Sequence, residues 1–215
     1  MTATNIWTCW DQGEHATPAL VRHSAGIPGG GKTRKHGWRS STVVHLQDDH
    51  IDVAFRIGAL SDSNLKVIKV GGVRRVICAS PTYLKTHGPL NEPDDLSHHH
   101  CVTFTGLSNS DRWVFNAAGV EKPVSIRSRL AVNTAEAAID ATIAGLGLTR
   151  VLSYQIVAAQ NAGLLVTVLE PFEPASVPVS LVFDGQGALP LKLRAFLDFV
   201  GPRLKERLLA MAGKL

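Results

Sequence analysis

Short apolar runs alternate with helix signals from Ile51 to the end of the chain, and this alternation restricts the fold more than any other feature. The apolar run at residues 51–57 is predicted to be a buried strand that ends at Gly58, and residues 73–80 a second strand. Further strands are predicted for residues 101–104, 113–115, 125–132, 146–152, 164–169 and 179–183. Strands that alternate with helices predict an α/β protein with mainly parallel sheets covered on their faces.

Two helices are marked at their ends by residues that favour capping. Ser80 is a favoured N-cap, Pro81 is a favoured first helical residue, and the short helix that they open is followed by Gly88. A longer helix is predicted for residues 134–144, with Asn133 as its N-cap. Both helices therefore have predicted start points as well as predicted positions.

Two more helices follow towards the end of the chain. Ser153 is predicted to cap a helix that stops near Gly163, and the last helix begins at about Leu191. Pro202 is predicted to kink this last helix, because proline lacks the backbone donor. Its apolar face is predicted to consist of Leu193, Phe196, Leu197, Val200 and Leu204.

Residues 1–50 form an atypical segment without a sustained apolar period, and we predict no helix or strand there. They include the stretch GIPGGGKTRKHGWRSS, which is rich in Gly, Arg and Ser. The composition is that of coding sequence read in a wrong frame or of a divergent replacement, and the sequence leaves both alternatives open.

Charge and cysteine content narrow the class of protein. The formal net charge is +4, and the lysines and arginines are not clustered, so direct nucleic-acid binding by these residues is not expected. The three cysteines are not closely spaced and do not indicate a disulfide framework, which favours a reducing, cytoplasmic location. No run has the length of a membrane span, and the start lacks the pattern of a signal peptide.

Six phrases in chain order carry a resemblance to a known family. They are DVAFRIGAL, RRVICASPTYLKTHGPLNEPDDLSHHHCVTF, the W-x-F at residues 113–115, RLAVNTAEAAIDATIAGLGLT, GLLVTVLEPF and PLKLRAFLDFV. They resemble the effector-binding, or substrate-binding, domain of LysR-type transcription regulators, and the resemblance covers roughly residues 51–204.

The resemblance implies a two-lobed fold like that of type 2 periplasmic binding proteins, with the ligand in the cleft between the lobes. It places one crossover just after Gly58 and the other near residues 178–183, so that the second lobe covers about residues 65–174. Residues 205–215 are expected to finish the C-terminal helix. The family's winged helix-turn-helix is not recognisable, and residues 1–50 lack the pattern of the expected opening strand and helix, so the first lobe is expected to be incomplete.

The resemblance also implies the ligand-binding residues, which lie at helix starts and at the first crossover. An unpaired helix N-terminus attracts anions, so Asn133 and Thr134 could hold a carboxylate; Asn133 could equally serve only as a cap. Arg56 could pair with an acidic ligand or remain solvated. Capping alone would explain Ser80, and core packing is the stronger interpretation of Phe104. The candidate set is Arg56, Ile57, Gly58, Ser80, Phe104, Asn133 and Thr134.

Three other patterns are weighed and set aside. Residues 26–33, GIPGGGKT, satisfy the P-loop pattern, but no buried strand precedes them and no helical pattern follows. The run at residues 98–101, HHHC, has no second ligand cluster, so no metal site is predicted. No nucleophile setting or paired-acid motif is found, so we predict neither a catalytic residue nor a cofactor.

The sequence thus predicts the effector-sensing domain of a LysR-family regulator rather than an enzyme. The expected partners are a small, acidic organic effector, further copies of the chain, and DNA through a helix-turn-helix that this chain does not contain; no membrane is expected. The alternatives are a solute-binding protein of the same fold and, less favoured, a P-loop nucleotide-binding enzyme.

Overall fold

The computed structural model describes residues 6–10, 52–58, 65–107, 112–186 and 188–212, and the first of these ranges as backbone only. The chain divides into two compact units. Unit 1 comprises the chain up to Val73 and again from Val177, and unit 2 comprises Arg74–Ser176. The P-loop-like stretch at residues 26–33 lies outside the described residues, as does most of the atypical segment.

Unit 1 contains a four-stranded sheet in the order β1-β2-β11-β3. Its strands are β1 (Ile6–Trp10), β2 (Val53–Ile57), β3 (Leu65–Val73) and β11 (Val177–Asp184). β1 pairs parallel with β2. β1 was not predicted, since no strand was expected in the first fifty residues. β3 pairs with β11 along its whole length, so it belongs to unit 1 and the second unit begins at Arg74 rather than near Leu65.

Helix α4 (Leu191–Ala212) completes the described part of unit 1. The predicted apolar face is confirmed for Leu193, Phe196, Leu197 and Val200, which are buried. The helix continues through Pro202. Leu208 extends the buried face onto β3, where a Cβ added at Gly71 would lie 3.0 Å from the Leu208 Cδ1 atom.

Unit 2 is built on a five-stranded sheet in the order β10-β4-β9-β5-β8, with a separate hairpin of β6 and β7. The sheet strands are β4 (Arg75–Ala79), β5 (His100–Phe104), β8 (Arg127–Val132), β9 (Leu148–Leu152) and β10 (Val166–Val168). The hairpin strands are β6 (Arg112–Ala117) and β7 (Val120–Ser125).

Three helices accompany this sheet: α1 (Pro81–His87), α2 (Ala135–Ile143) and α3 (Ser153–Asn161). Short 3-10 turns cover Pro93–His98 and Glu170–Phe172. In α1 the predicted ends are confirmed, because Ser80 Oγ accepts a hydrogen bond from the Tyr83 N–H at 3.3 Å and Gly88 is the C-cap. Ser153 is instead the first residue of α3, and Leu152 occupies the N-cap position.

The prediction of an α/β fold is confirmed, but the described strands form mixed sheets. In unit 2, β5, β8, β9 and β10 run in one direction and β4 is reversed between β9 and β10. In unit 1, β11 is reversed between β2 and β3. β4 is the first strand after the chain enters unit 2, and β11 is the first strand after it returns to unit 1. Neither strand is joined to the preceding strand of its own sheet by a helical crossover, which is the connection that makes neighbouring strands parallel.

The unit 2 sheet has two differently covered faces. The hairpin face carries Ile77, Ala79, Cys101 and Leu148, which pack with Trp113 and Phe115 of β6, Val124 of β7 and Tyr83 of α1. Because side chains alternate along a strand, the helix face carries the neighbouring residues Val76, Cys78, Val102, Thr149 and Val151, which are buried on the side of α2 and α3. Both faces of the sheet therefore carry buried side chains.

Candidate ligand-binding site

The carboxyl ends of the parallel strands β5 and β8 bring two predicted site regions together in unit 2. The Thr105 N–H donates to the Val132 carbonyl at 2.9 Å, which holds the residue after β5 beside the last residue of β8. Asn133 and Thr134 follow directly and lead into α2. In α/β sheets, ligands bind outside this carboxyl edge of the strands.

Thr134, and not Asn133, is the N-cap of α2. Its hydroxyl oxygen accepts a hydrogen bond from the Ala137 N–H at 3.2 Å, whereas the Asn133 side chain is exposed. The helix begins one residue later than predicted, so the threonine occupies the extended capping conformation. Asn133 therefore has no capping role.

Phe104 and Ser80 were also predicted to line the site, but both side chains are buried and have structural roles. Phe104 is 2% exposed and belongs to the core, as core packing predicts. Ser80 follows the reversed strand β4, so it lies at the opposite end of the sheet, roughly 16 Å from the Thr105 end along the strand direction. It is 4% exposed and caps α1, which accounts for it fully.

Arg56, Ile57 and Gly58 lie at the carboxyl end of β2 in unit 1. Ile57 is buried and pairs with Val179 of β11, while Arg56 is half-buried. The Gly58 N–H donates to the Pro178 carbonyl at 3.0 Å. This bond ties the end of β2 to the strand on which the chain returns to unit 1.

Unit 2 also holds two arginines that motif-based reasoning missed. Arg150 stands in the middle of β9, is 8% exposed, and its guanidinium carbon lies 5.4 Å from the centre of the Trp113 ring. Arg75 lies on β4, where Ile77 is directly opposite Arg150, so both arginines are on the hairpin face. The sequence signal that could have identified Arg150 is an arginine inside the apolar run LGLTRVL.

Burial changes the ionisation of this pair. Removal from water, and then the positive charge of Arg75, lowers the pKa of Arg150 to about 10. Burial also lowers the pKa of Arg75. Both groups remain cationic near neutral pH, so unit 2 carries two positive charges beside an aromatic ring.

The cysteines and histidines of the described residues do not form a metal centre, since no group of three potential ligands comes together in them. Burial raises the pKa of Cys78 and of Cys101 to about 12, so both thiols are protonated and unreactive at neutral pH. His99 is 3% exposed, and its Nδ1 lies 3.3 Å from the Tyr83 hydroxyl. These side chains serve the core.

The sequence matches the family model of the LysR substrate binding domain over residues 35–205. The chain belongs to the LysR substrate-binding-domain family. The resemblance predicted from the motifs begins at Ile51, whereas the family match begins sixteen residues earlier, at residue 35. Part of the segment predicted to be atypical thus falls within the family pattern.

Curated relatives of this LysR domain are named as transcriptional regulators. An HTH-type regulator of Haemophilus influenzae is 29% identical over 150 residues, covering 70% of this chain and 52% of the relative. The HTH-type regulator YhjC of Escherichia coli is 30% identical over 167 residues, covering 77% of this chain and 56% of the relative. The chain spans about half the length of these relatives.

Solved structures support the same fold. The regulatory domain of AphB from Vibrio vulnificus, treated with cumene hydroperoxide, superposes with a TM-score of 0.73 at 22% identity. That alignment covers 93% of this chain and 98% of the AphB domain. The two-lobed LysR fold expected from the resemblance is therefore confirmed. Among the described helices, none has the length and apolar character needed to cross a membrane.

Proposed function

We propose that this LysR domain senses a small organic acid and passes the change to DNA-binding partners. The observation that carries the proposal is the family match over residues 35–205. The domain would act without catalysis, in the cytoplasm, within an oligomer whose helix-turn-helix regions contact DNA.

The positions of the candidate residues support this ligand class. Arg56 and Gly58 lie at the carboxyl end of β2, and Asn133 and Thr134 at the carboxyl end of β8. An arginine side chain and the unpaired N–H groups of a helix start both favour a carboxylate. We infer that Arg56 and the start of α2 bind the acid, and we leave Ser80 and Phe104 out of the site.

The ligand would act by favouring one arrangement of the units over another. A ligand shifts such an equilibrium only by its difference in affinity for the two arrangements. An acid that contacts Arg56 and Asn133 simultaneously has higher affinity for the arrangement that brings both groups to it. Partner subunits would register the resulting change in geometry.

Calorimetric titration of the purified chain with a panel of small organic acids tests the proposal. For a binding acid, Arg56→Ala and Asn133→Ala should each weaken the affinity about tenfold, the loss of about 1.4 kcal/mol. Asn133→Ala is a clean probe because Thr134 and not Asn133 caps α2. Arg127→Ala, at an exposed position on β8, removes the same charge and should leave the affinity unchanged.

An acid whose affinity is the same in the chain and in both site variants would contradict the proposed site. Binding to no acid of the panel, in a chain shown to be folded by its cooperative unfolding, would contradict the proposed ligand class.

A further inference from the structure

The hairpin face of unit 2 contains polar N–H groups that have no acceptor among the described residues. The Nε atoms of Arg75 and Arg150 and the Nε1 atom of Trp113 are all buried without a hydrogen-bond partner there. One Arg150 Nη atom does donate to the Val114 carbonyl, at a long 3.4 Å. The Trp113 ring centre lies 5.4 Å from the Arg150 guanidinium carbon, and Arg75 lies on the same face of the neighbouring strand β4.

The two arginines also lack an ionic partner in the described ranges. The ion pairs there are Arg74–Glu173, Lys122–Asp94 and Lys192–Asp52, and none involves Arg75 or Arg150. Arg74 shows what an ordinary partner would be, since its guanidinium lies 2.9 Å from a Glu173 oxygen. A buried charge is costly unless it is paired, and a second positive charge on the same face adds to the cost.

We propose that Arg75, Arg150 and Trp113 form an oxyanion-binding site on the hairpin face of unit 2. The Nε edge of a guanidinium is planar and binds two oxygens of a carboxylate or phosphate side by side. Trp113 covers one side of the Arg150 guanidinium, so the oxyanion binds in the guanidinium plane and the indole N–H supplies a further donor. Arg75 as a residue is half-buried, so part of its side chain reaches the surface of unit 2.

This site is distinct from the start of α2. Arg150 lies on β9 and Asn133 follows β8, with β5 between them, so the two positions are about 10 Å apart across the sheet. The inference does not rest on the proposed cleft, because all three residues belong to unit 2. A small oxyanion at this site would neutralise the arginine pair.

Nitrogen-edited NMR of the whole chain tests the site without changing it. The probes are sodium acetate, sodium benzoate and sodium phosphate, each titrated at constant ionic strength against sodium chloride. The indole N–H signal of Trp113 is identified by its absence in Trp113→Phe. We expect this signal and an arginine Nε–H signal to shift and saturate with at least one oxyanion and not with chloride. Unchanged signals with all three oxyanions would overturn the proposal.

Matched arginine variants locate the binding and separate the two sites. The affinity for the shifting oxyanion should fall at least tenfold in Arg150→Gln and measurably in Arg75→Gln. It should be unchanged in Arg127→Gln, which removes an exposed charge from the same unit, and in Arg56→Ala. Affinity that is lost in Arg56→Ala and retained in Arg150→Gln would assign the oxyanion to the cleft and overturn this site. Response to acetate and benzoate or to phosphate distinguishes a carboxylate from a phosphate ligand.

Discussion

The two faces of the unit 2 sheet differ in how their polar groups are satisfied. On the helix face, the Thr149 hydroxyl donates to the Val102 carbonyl at 2.9 Å, and the Thr142 hydroxyl of α2 donates to the Ala138 carbonyl at 2.8 Å. On the hairpin face, Arg75 and Arg150 keep N–H donors without an acceptor among the described residues. Buried donors that are hydrogen-bonded, as these two hydroxyls are, favour stability, whereas unused donors favour binding.

The largest expected effect comes from removing the aromatic side chain that anchors the hairpin. Trp113 is 1% exposed, so Trp113→Ala should lower the free energy of unfolding by about 3–5 kcal/mol through the cavity that it leaves. Urea denaturation measures the loss. Val114→Ala is the matched control: Val114 is 37% exposed on the same strand, and the expected loss is under about 1 kcal/mol. Similar losses in both variants would show that the hairpin is not anchored through Trp113.

Adjacent residues of β9 should respond in opposite directions. Without a bound anion, Arg150→Met should raise the free energy of unfolding by about 1 kcal/mol, because it removes a buried charge that has no ionic partner. Thr149→Val should lower it by about 1 kcal/mol, because the hydroxyl donates a buried hydrogen bond on the helix face. Chemical denaturation in buffer free of carboxylate and phosphate measures both. A loss in Arg150→Met as large as that in Thr149→Val would remove the distinction between the faces.

The start of α2 allows a comparison of two adjacent residues, Asn133 and Thr134, as the N-cap of the helix. Thr134→Ala should lower the free energy of unfolding by about 1 kcal/mol, since the threonine hydroxyl oxygen satisfies the Ala137 N–H. Asn133→Ala should change it by less than about 0.5 kcal/mol, as for an exposed surface position. Thermal unfolding of the two variants side by side decides which residue caps the helix. The reverse order would restore Asn133 as the cap.

The smallest expected effect is a pH dependence from the hairpin side of unit 2. Burial lowers the pKa of His99 from its usual value of 6.5, and the neighbouring His87 lowers it further. The unfolded chain therefore takes up a proton at higher pH than the folded one, and stability should fall as pH drops below about 6.5. Denaturant midpoints between pH 8 and 5 measure this, and His99→Gln should flatten the slope. An unchanged slope in this variant would assign the dependence to other groups.

Much of the fold follows from local signals in the sequence. Ser80, Pro81 and Gly88 predict α1 correctly because capping depends on the residues at the helix ends. The apolar face of α4 follows from helical periodicity. β3 and β7 were missed because they carry charged residues and are only partly buried, so neither shows an apolar run or a clean alternation.

The candidate site depends more on tertiary structure. Ser80 lies at the end of the sheet opposite to Asn133 because β4 runs antiparallel to β9. Strand direction in a mixed sheet has no local sequence signal. Arg150 becomes buried because the hairpin of β6 and β7 covers that face, and its sequence neighbours do not reveal this cover. The N-cap of α2 is Thr134 and not the predicted Asn133. This shift of one residue is within the range over which assigned helix starts vary.

Anomalous diffraction from crystals of this domain tests the central claim most directly, which is that the LysR domain binds a small acid at Arg56 and the start of α2. The crystals would contain a brominated analogue of the strongest acid from the calorimetric panel, so that the bromine position marks the ligand. We predict an anomalous peak with the acid in contact with both Arg56 and the Asn133–Thr134 segment. A fully bound acid whose bromine peak lies away from both segments would contradict the claim.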